Sequence, residues 1–445
     1  MSTPRRSPLP WPCLLLLVAA LACQTLTPAG NNSDATDHDS DSENPDARAT
    51  ATLDLSDLEA DDTPDAEADD TADGAPTFSY DASDAPGFLT PGAAADEVTL
   101  DEANLPFLGL FPALRHAAAP EWLSAPVRVT YRVESASIAQ VEDAEGSAGA
   151  GYVQNDIVAL EDELVVVNSK LYLDGTDGGV LPYGTFPGLG LPGVGDFWLN
   201  PEALTDAEQL EVDDLTVARV AETFAREEFD VMRFDYTPED AHYTWKFDMV
   251  SGMLLEYRHD LGGEDDAARE LTIITFVRFR QLDLPWAGEA LPAWVCDASH
   301  LYYSGSFTTV IAGEAVPGLD YAVEVAFRAC AAEWAVYDLT SQLTDLPSDT
   351  VTRLGGANQL FDALWLPPAA FNRLEDGQVL DEDPVTGAVT IAELNSDGTL
   401  TLVETNDFYE IALTYDTDGW LVALAQRQAI GLAENTVTLT LDDWD

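Results

Sequence analysis

From about residue 127 onward, apolar and polar residues alternate with a period of two. Val127, Val129, Tyr131 and Val133 alternate with Arg128, Thr130 and Arg132, and Val437, Leu439 and Leu441 alternate with Thr438, Thr440 and Asp442. That period places one face of an extended strand on a core and the other in solvent. Leu271 to Phe279 carries apolar residues at both parities, which predicts a strand covered on both faces. Ser251-Gly252 and Asp418-Gly419 lie between β-like runs and read as hairpin turns. Short turns between successive strands favour antiparallel pairing. Helical signals are few. Asn200 suits an N-cap and Pro201 the first helical position. Leu199 and Leu204 are then placed as a hydrophobic staple, with Leu366 and Phe371 in matching places further on. The expected fold class is mainly β.

The pattern repeats. Pro120-Glu121-Trp122-Leu123 is echoed by Pro292-Ala293-Trp294-Val295, and Tyr131 follows Trp122 at the distance at which Tyr303 follows Trp294; both offsets are 172. Phe197-Trp198-Leu199-Asn200-Pro201 is echoed by Leu364-Trp365-Leu366-Pro367-Pro368. Ser251-Gly252 after Phe247-Asp248 is echoed by Asp418-Gly419 after Tyr415-Asp416. These offsets are 167. Echoes in the same order at near-constant spacing read as two tandem antiparallel β domains, 106–287 and 288–445, each with a short helix. The Gly- and Pro-rich stretch Leu181 to Gly195 has no match in the second copy and is expected to be an inserted loop.

Charge and the N-terminus add compartment. Arg5 and Arg6 precede the apolar run Trp11 to Ala22, which is too short to span a bilayer. Ala20-Leu21-Ala22 sets small residues before Cys23. Residues 1–22 therefore read as a signal peptide and Cys23 as a lipidation site, so the membrane is a partner through that anchor. The expected location is an outer-membrane or cell-surface lipoprotein, with the periplasm or the extracellular space as alternatives. No later segment is long and apolar enough to span a bilayer as a helix. Residues 23–105 are rich in Asp, Ala, Thr and Pro and read as a disordered acidic linker. The formal net charge is −62, which excludes nucleic acid as a partner. Lys170 and Lys246 are the chain's two lysines.

Candidate chemistry is sparse. Cys13 leaves with the signal and Cys23 is acylated, so Cys296 and Cys330 remain and are expected to pair as a disulfide, with two buried free thiols as the alternative. His38, His116, His242, His259 and His300 are scattered, without H-x-x-x-H spacing. His242 and His259 are nearly symmetric about Val250-Ser251 and are expected to face each other across a hairpin. No nucleophile elbow, phosphate loop or dinucleotide fingerprint occurs. Asp381 and Asp383, Asp416 and Asp418, and Asp174 to Gly178 offer oxygen ligands for calcium. The plainer reading of these runs is Asp-Gly turns on an acidic surface. No catalytic residue and no resident cofactor is assigned.

The Pro-x-Trp opening, Gly151-Tyr152-Val153-Gln154, the Trp198-Leu199-Asn200-Pro201 element and the hairpin Phe247-Asp248 to Ser251-Gly252-Met253-Leu254-Leu255 resemble exported bacterial proteins of unassigned function. The hairpin is also similar to strands of lipoprotein-carrier folds of the LolA/LolB type, curved antiparallel sheets that hold an acyl chain. The resemblance implies no catalytic residues. The leading expectation is a non-enzymatic binding or structural module of the cell envelope, with a protein or apolar ligand as partner. The alternatives are a carrier of a lipid or other apolar ligand in a curved sheet, and a hydrolase with acidic catalytic residues.

Overall fold

The computed structural model describes residues 88–89, 100–101, 107, 110–114, 120 and 122–445, less 140–146, 162–163, 175–179, 189–196, 208, 213, 239–240, 263–267, 345, 361–362 and 431. Residues 1–22, Cys23, His38, His116 and most of 23–105 lie outside the described residues. Within 23–105, β1 (Phe88–Leu89) pairs antiparallel with β2 (Leu100–Asp101). The chain divides into units 1–73 and 74–445.

The second unit is built on two large antiparallel sheets. The first holds β3 (Val127–Ala139), β4 (Ser147–Glu161), β5 (Leu164–Asp174), β6 (Val180–Gly188), β7 (Leu210–Val212), β8 (Leu215–Phe224), β9 (Glu227–Tyr236), β10 (Ala241–Asp248), β11 (Leu254–Leu261) and β12 (Ala268–Gln281), with helix α1 (Pro201–Asp206) between β6 and β7. After helix α2 (Trp294–Asp297), the second holds β13 (His300–Ile311), β14 (Glu314–Ala315), β15 (Leu319–Cys330), β16 (Trp334–Leu343), β17 (Asp349–Gly356), β18 (Gln378–Glu382), β19 (Val389–Leu394), β20 (Leu400–Thr405), β21 (Tyr409–Tyr415), β22 (Leu421–Ile430) and β23 (Ala433–Trp444). The first sheet runs β6-β5-β4-β3-β12-β11-β10-β9-β8-β7. The second runs β17-β16-β15-β13-β23-β22-β21-β20-β19-β18, with β14 paired to β13. Setting β14 aside, the two orders are the same. Four strands walk outward to one edge, a helical turn crosses to the other edge, and six strands walk back until the last pairs with the first.

The repeated tryptophans sit at that crossing. Trp198 bridges Met253 and Trp365 bridges Trp420. Leu199 N–H donates to Gly252 O at 2.7 Å, and Leu366 N–H to Gly419 O at 2.9 Å. The Trp122 and Trp294 indoles donate to Ser251 O (2.7 Å) and Asp418 O (3.1 Å). Asn200 Oδ1 caps α1 by accepting from the N–H groups of Glu202 and Ala203, and Leu199 and Leu204 are buried. The second crossing departs from expectation. Pro367 offers no capping oxygen, a 3-10 turn (Pro368–Asn372) forms instead, and Ala370 rather than Phe371 is the buried residue.

Two further expectations are corrected. Val180–Gly188 is not a loop but the edge strand β6, paired with β5. Pro182 and Pro187 are tolerated because an edge strand has one side free of ladder bonds. The polar face of β3 is not solvated either: Arg128 is 2 % exposed and Thr130 is buried. Their alternation marks two buried faces, one apolar and one charged.

The apolar face of the first sheet is a lattice of register rows. One row runs Val129–Asn155–Ser169 and the next Phe276–Tyr131–Val153–Leu171. Then come Phe234–Trp245–Tyr257–Ile274–Val133 and Tyr236–Tyr243–His259–Thr272. Phe107 covers part of this inner face, stacked on Phe234 at 4.0 Å and edge-on to Trp245.

Candidate functional site

The outer face of the first sheet carries the row Arg280–Arg128–Asp156–Asn168 and, beside it, Thr130–Gln154–Lys170. The second sheet lays its own row, Asp381–Thr390–Glu404–Ile411, against them. Arg128 holds Asp156 through two parallel bonds, Nε to Oδ1 at 2.6 Å and Nη2 to Oδ2 at 2.7 Å. Its Nη1 reaches Asp381 (2.9 Å) and Asp383 (3.0 Å) in the second sheet. Arg280 also binds Asp381 and Asp383, and Gln154 Nε2 donates to Asp383 at 2.7 Å. Beside this, Lys170 Nζ lies 3.0 Å from Glu404, which accepts from Tyr409 Oη at 2.9 Å. An apolar seam of Val158, Ala159 and Val166 against Val336 and Leu354 extends the contact. The backbone and side-chain amides of Asn358 both donate to Val158 O.

Burial alone would raise the Asp383 carboxyl. The Arg128 charge, the backbone N–H groups of Thr386 and Val385, and Arg280 outweigh it and hold the group at about 2. Asp230, Asp235 and Asp397 are lowered as well. Burial pushes the Tyr172 and Tyr409 phenols up, with the Glu404 charge adding to it. A carboxylate clamped ionised cannot give up a proton near neutral pH, so Asp383 is no general acid. Its folded value lies below the unfolded value of about 3.9. The stability it contributes is therefore present above about pH 4 and lost as pH falls from about 4 to about 2. Urea midpoints of the wild type and Asp383→Asn are expected to converge across that window. A constant gap would show that Asp383 does not titrate with folding.

The inner face of the first sheet holds a second feature. Tyr131 Oη, Asn155 Nδ2, Trp245 Nε1 and His259 Nε2 are buried atoms without a hydrogen-bond partner among the described residues. They fall in four successive register rows, across β4, β3, β10 and β11. Ser169 Oγ donates to Asn155 Oδ1 at 2.6 Å, which fixes that amide. Tyr243 lies stacked on His259 at 4.5 Å, and burial lowers the imidazole's pKa against the pull of Glu270 and Asp260. The second sheet differs at equivalent places. Tyr303 Oη donates to Leu421 O at 3.0 Å, and the row matching Val129–Asn155–Ser169 is Leu301–Val325–Leu339. Among the described residues, no buried side-chain atom of the second sheet is left without a partner.

The residues singled out from sequence meet different fates. Cys23 lies outside the described residues. Cys296 and Cys330 form a disulfide with Cα atoms 5.5 Å apart, tying α2 to the end of β15. Asp381 and Asp383 face guanidinium groups. Asp416 Oδ1 closes a turn by accepting from the N–H groups of Asp418 and Trp420. Among the described residues, no group of three or more His, Cys, Asp or Glu is placed to hold a metal ion. His242 and His259 do not face each other. A bulge beside Lys246-Phe247 shifts the register by one residue, so His242 opposes Asp260 and Tyr243 opposes His259. Neighbouring strand residues then point to opposite faces.

Arg128, Arg280, Glu404, Tyr131 and Asn155 carried no sequence signal of their own. The rarity of lysine was a usable one. Lys170 and Lys246 are both buried in ion pairs, Lys246 with Glu222 (2.9 Å) and Glu256 (3.0 Å).

No family model matches the chain, and no curated protein matches it. Solved structures with weak likeness include MucB in complex with MucA(peri), at 10% identity over 71% of this chain and 89% of that one, TM-score 0.20. A Nostoc punctiforme protein of unknown function from the DUF3598 family matches at 11% identity over 70% and 95%, TM-score 0.13. Transferrin-binding protein B from Haemophilus parasuis, a double mutant, matches at 7% identity over 86% and 99%, TM-score 0.11. TM-scores this low do not establish a shared fold.

Proposed function

We propose that this chain is an exported protein, held by a lipid on Cys23, that binds its ligand without catalysis on the inner face of the first sheet. The ligand class is a largely apolar molecule carrying an oxygen acceptor. One observation carries the reading: Tyr131 Oη and Asn155 Nδ2 have no partner among the described residues, while the second sheet pairs Tyr303 and puts Val325 in the place of Asn155. A buried donor left unpaired costs roughly 1–3 kcal/mol, so Tyr131 Oη and Asn155 Nδ2 favour a bound group that accepts from both. Val129, Val153, Phe276 and Trp245 make the surroundings apolar, as in most small-molecule sites. The second sheet is the poorer host, because Asp381 and Glu404 on its own inner row are occupied by Arg128, Arg280 and Lys170 of the first sheet. Asp383, held ionised by Arg128 and Arg280, offers the hydrolase reading no general acid.

The test uses the full mature chain and a fatty acid bearing an environment-sensitive fluorophore. Saturable binding is expected. Tyr131→Phe removes an unpaired hydroxyl, so it should leave stability unchanged or raised while weakening the probe by roughly 2- to 10-fold. Absence of saturable binding to folded protein would sink the proposal, as would unchanged affinity in Tyr131→Phe. Intact mass of the protein from its own membranes tests the anchor separately: a chain beginning at Cys23 with added acyl mass is expected.

A further inference from the structure

The end of the second sheet carries a feature unrelated to the inner-face site. Trp294 and Trp420 stack at 3.5 Å with their planes 9° apart, and Trp420 contacts Trp444 at 4.8 Å. Trp420 is buried, Trp294 is pinned by its indole bond to Asp418 O, and Trp444 is 56 % exposed. Three indoles are thus packed into a rigid ledge that ends in solvent. The first sheet has the same place: Phe279 opposes Val129 as Trp444 opposes Leu301, and Phe279 packs on Trp122. Phe279 is 39 % exposed. An aromatic pair therefore stands at the same place in the first sheet, with Met253 where the second sheet has Trp420. The chain neighbours of Phe279 are Arg278 and Arg280, the latter bound to Asp381 and Asp383, whereas those of Trp444 are Asp443 and Asp445, the latter bonded to His300. Asp297 and Asp418 lie on the segments that carry Trp294 and Trp420. Residues 288–445 hold 26 Asp and Glu against four Arg and no Lys.

We infer that the Trp294–Trp420–Trp444 ledge is a surface binding site for an organic cation, a methylated ammonium or a guanidinium group. The face of an indole is the best aromatic partner for a cation, and the net negative charge of residues 288–445 adds attraction and disfavours anions. Weakly hydrated organic cations gain more there than sodium, because they lose less hydration on meeting the ring. A buried middle indole keeps the ledge ordered before the ligand arrives, which lowers the entropic cost of binding.

The test titrates the mature chain with tetramethylammonium chloride and, separately, N-acetylargininamide. Ionic strength is held constant with sodium chloride, and tryptophan fluorescence is read. Saturation above the sodium control is expected for at least one cation, and which one separates a small methylated ligand from a protein arginine. Trp444→Ala should weaken it roughly 3- to 30-fold. Phe279→Trp, where Met253 stands in the place of the buried Trp420, should add no second site. Three results would overturn the inference: no saturation beyond the control, affinity unchanged in Trp444→Ala, or saturation by neutral cellobiose instead of the cations. Circular dichroism of Trp444→Ala distinguishes loss of the site from loss of the fold.

Discussion

Replacing Arg128 with Ala is expected to cost about 3–5 kcal/mol of folding stability, read from guanidinium unfolding at neutral pH. The guanidinium makes four bonds to three buried carboxylates. Without it Asp156 loses both bonds of its bidentate pair, and Asp381 and Asp383 keep Arg280 as their charged partner. The cost comes mainly from carboxylates left in a low-dielectric seam rather than from the pair's own attraction, because desolvation of a buried pair offsets most of its Coulomb gain. Arg128→Met combined with Asp156→Leu removes both members of the bidentate pair and should cost distinctly less than Arg128→Ala. If the double variant is as damaging, packing rather than unpaired charge is the cause. The exposed pair Arg219–Asp230 is the contrast, and its removal should leave stability nearly unchanged, because solvent screens it.

Gly252→Ala and Gly419→Ala should each cost at least about 3 kcal/mol or abolish folding. Both glycines adopt positive φ, +74° and +84°. An added Cβ at Gly252 would lie 1.9 Å from Leu199 O, and at Gly419 2.0 Å from Leu366 O. Those carbonyls belong to the segments that leave the buried tryptophans, so neither can retreat without dragging Trp198 or Trp365 out of its core. Gly288→Ala isolates the conformational part. Its φ is +79°, yet an added Cβ meets nothing within 4 Å. That variant should lose only about 1–3 kcal/mol of backbone strain. Equal losses at all three positions would show that the close approach to the carbonyl is unimportant.

Much of the architecture was legible in the chain. Period-two alternation announces strands because successive side chains point to opposite faces whatever the surroundings. The caps and turns are equally local. Asn200-Pro201 starts a helix, and Ser251-Gly252 turns a hairpin through the bonds of a few neighbouring residues. The echoed tryptophans correspond to matching backbone bridges, Trp198 with Met253 and Trp365 with Trp420. The outward-looking polar residues of β3 to β5 were another matter. Arg128 and Thr130 read as solvated because alternation reports that a face is polar, not what lies against it, and Gln154, Asp156 and Lys170 share that face. The answer came from residues more than 200 positions away, Asp381, Asp383 and Glu404, brought in by the packing of one sheet on the other. The same limit applied to His242 and His259, where a single bulged residue changed which side chains share a face. Tyr131 and Asn155 are the plainest case. Nothing in the sequence separates Tyr131 from Tyr303, and only the folded sheets decide that one hydroxyl finds a carbonyl while the other is left for something else to satisfy. The sequence by itself determined strands, turns and repeats, because these depend on nearest neighbours. Tertiary structure alone decided which polar groups are paired, because that depends on contacts between distant parts of the chain.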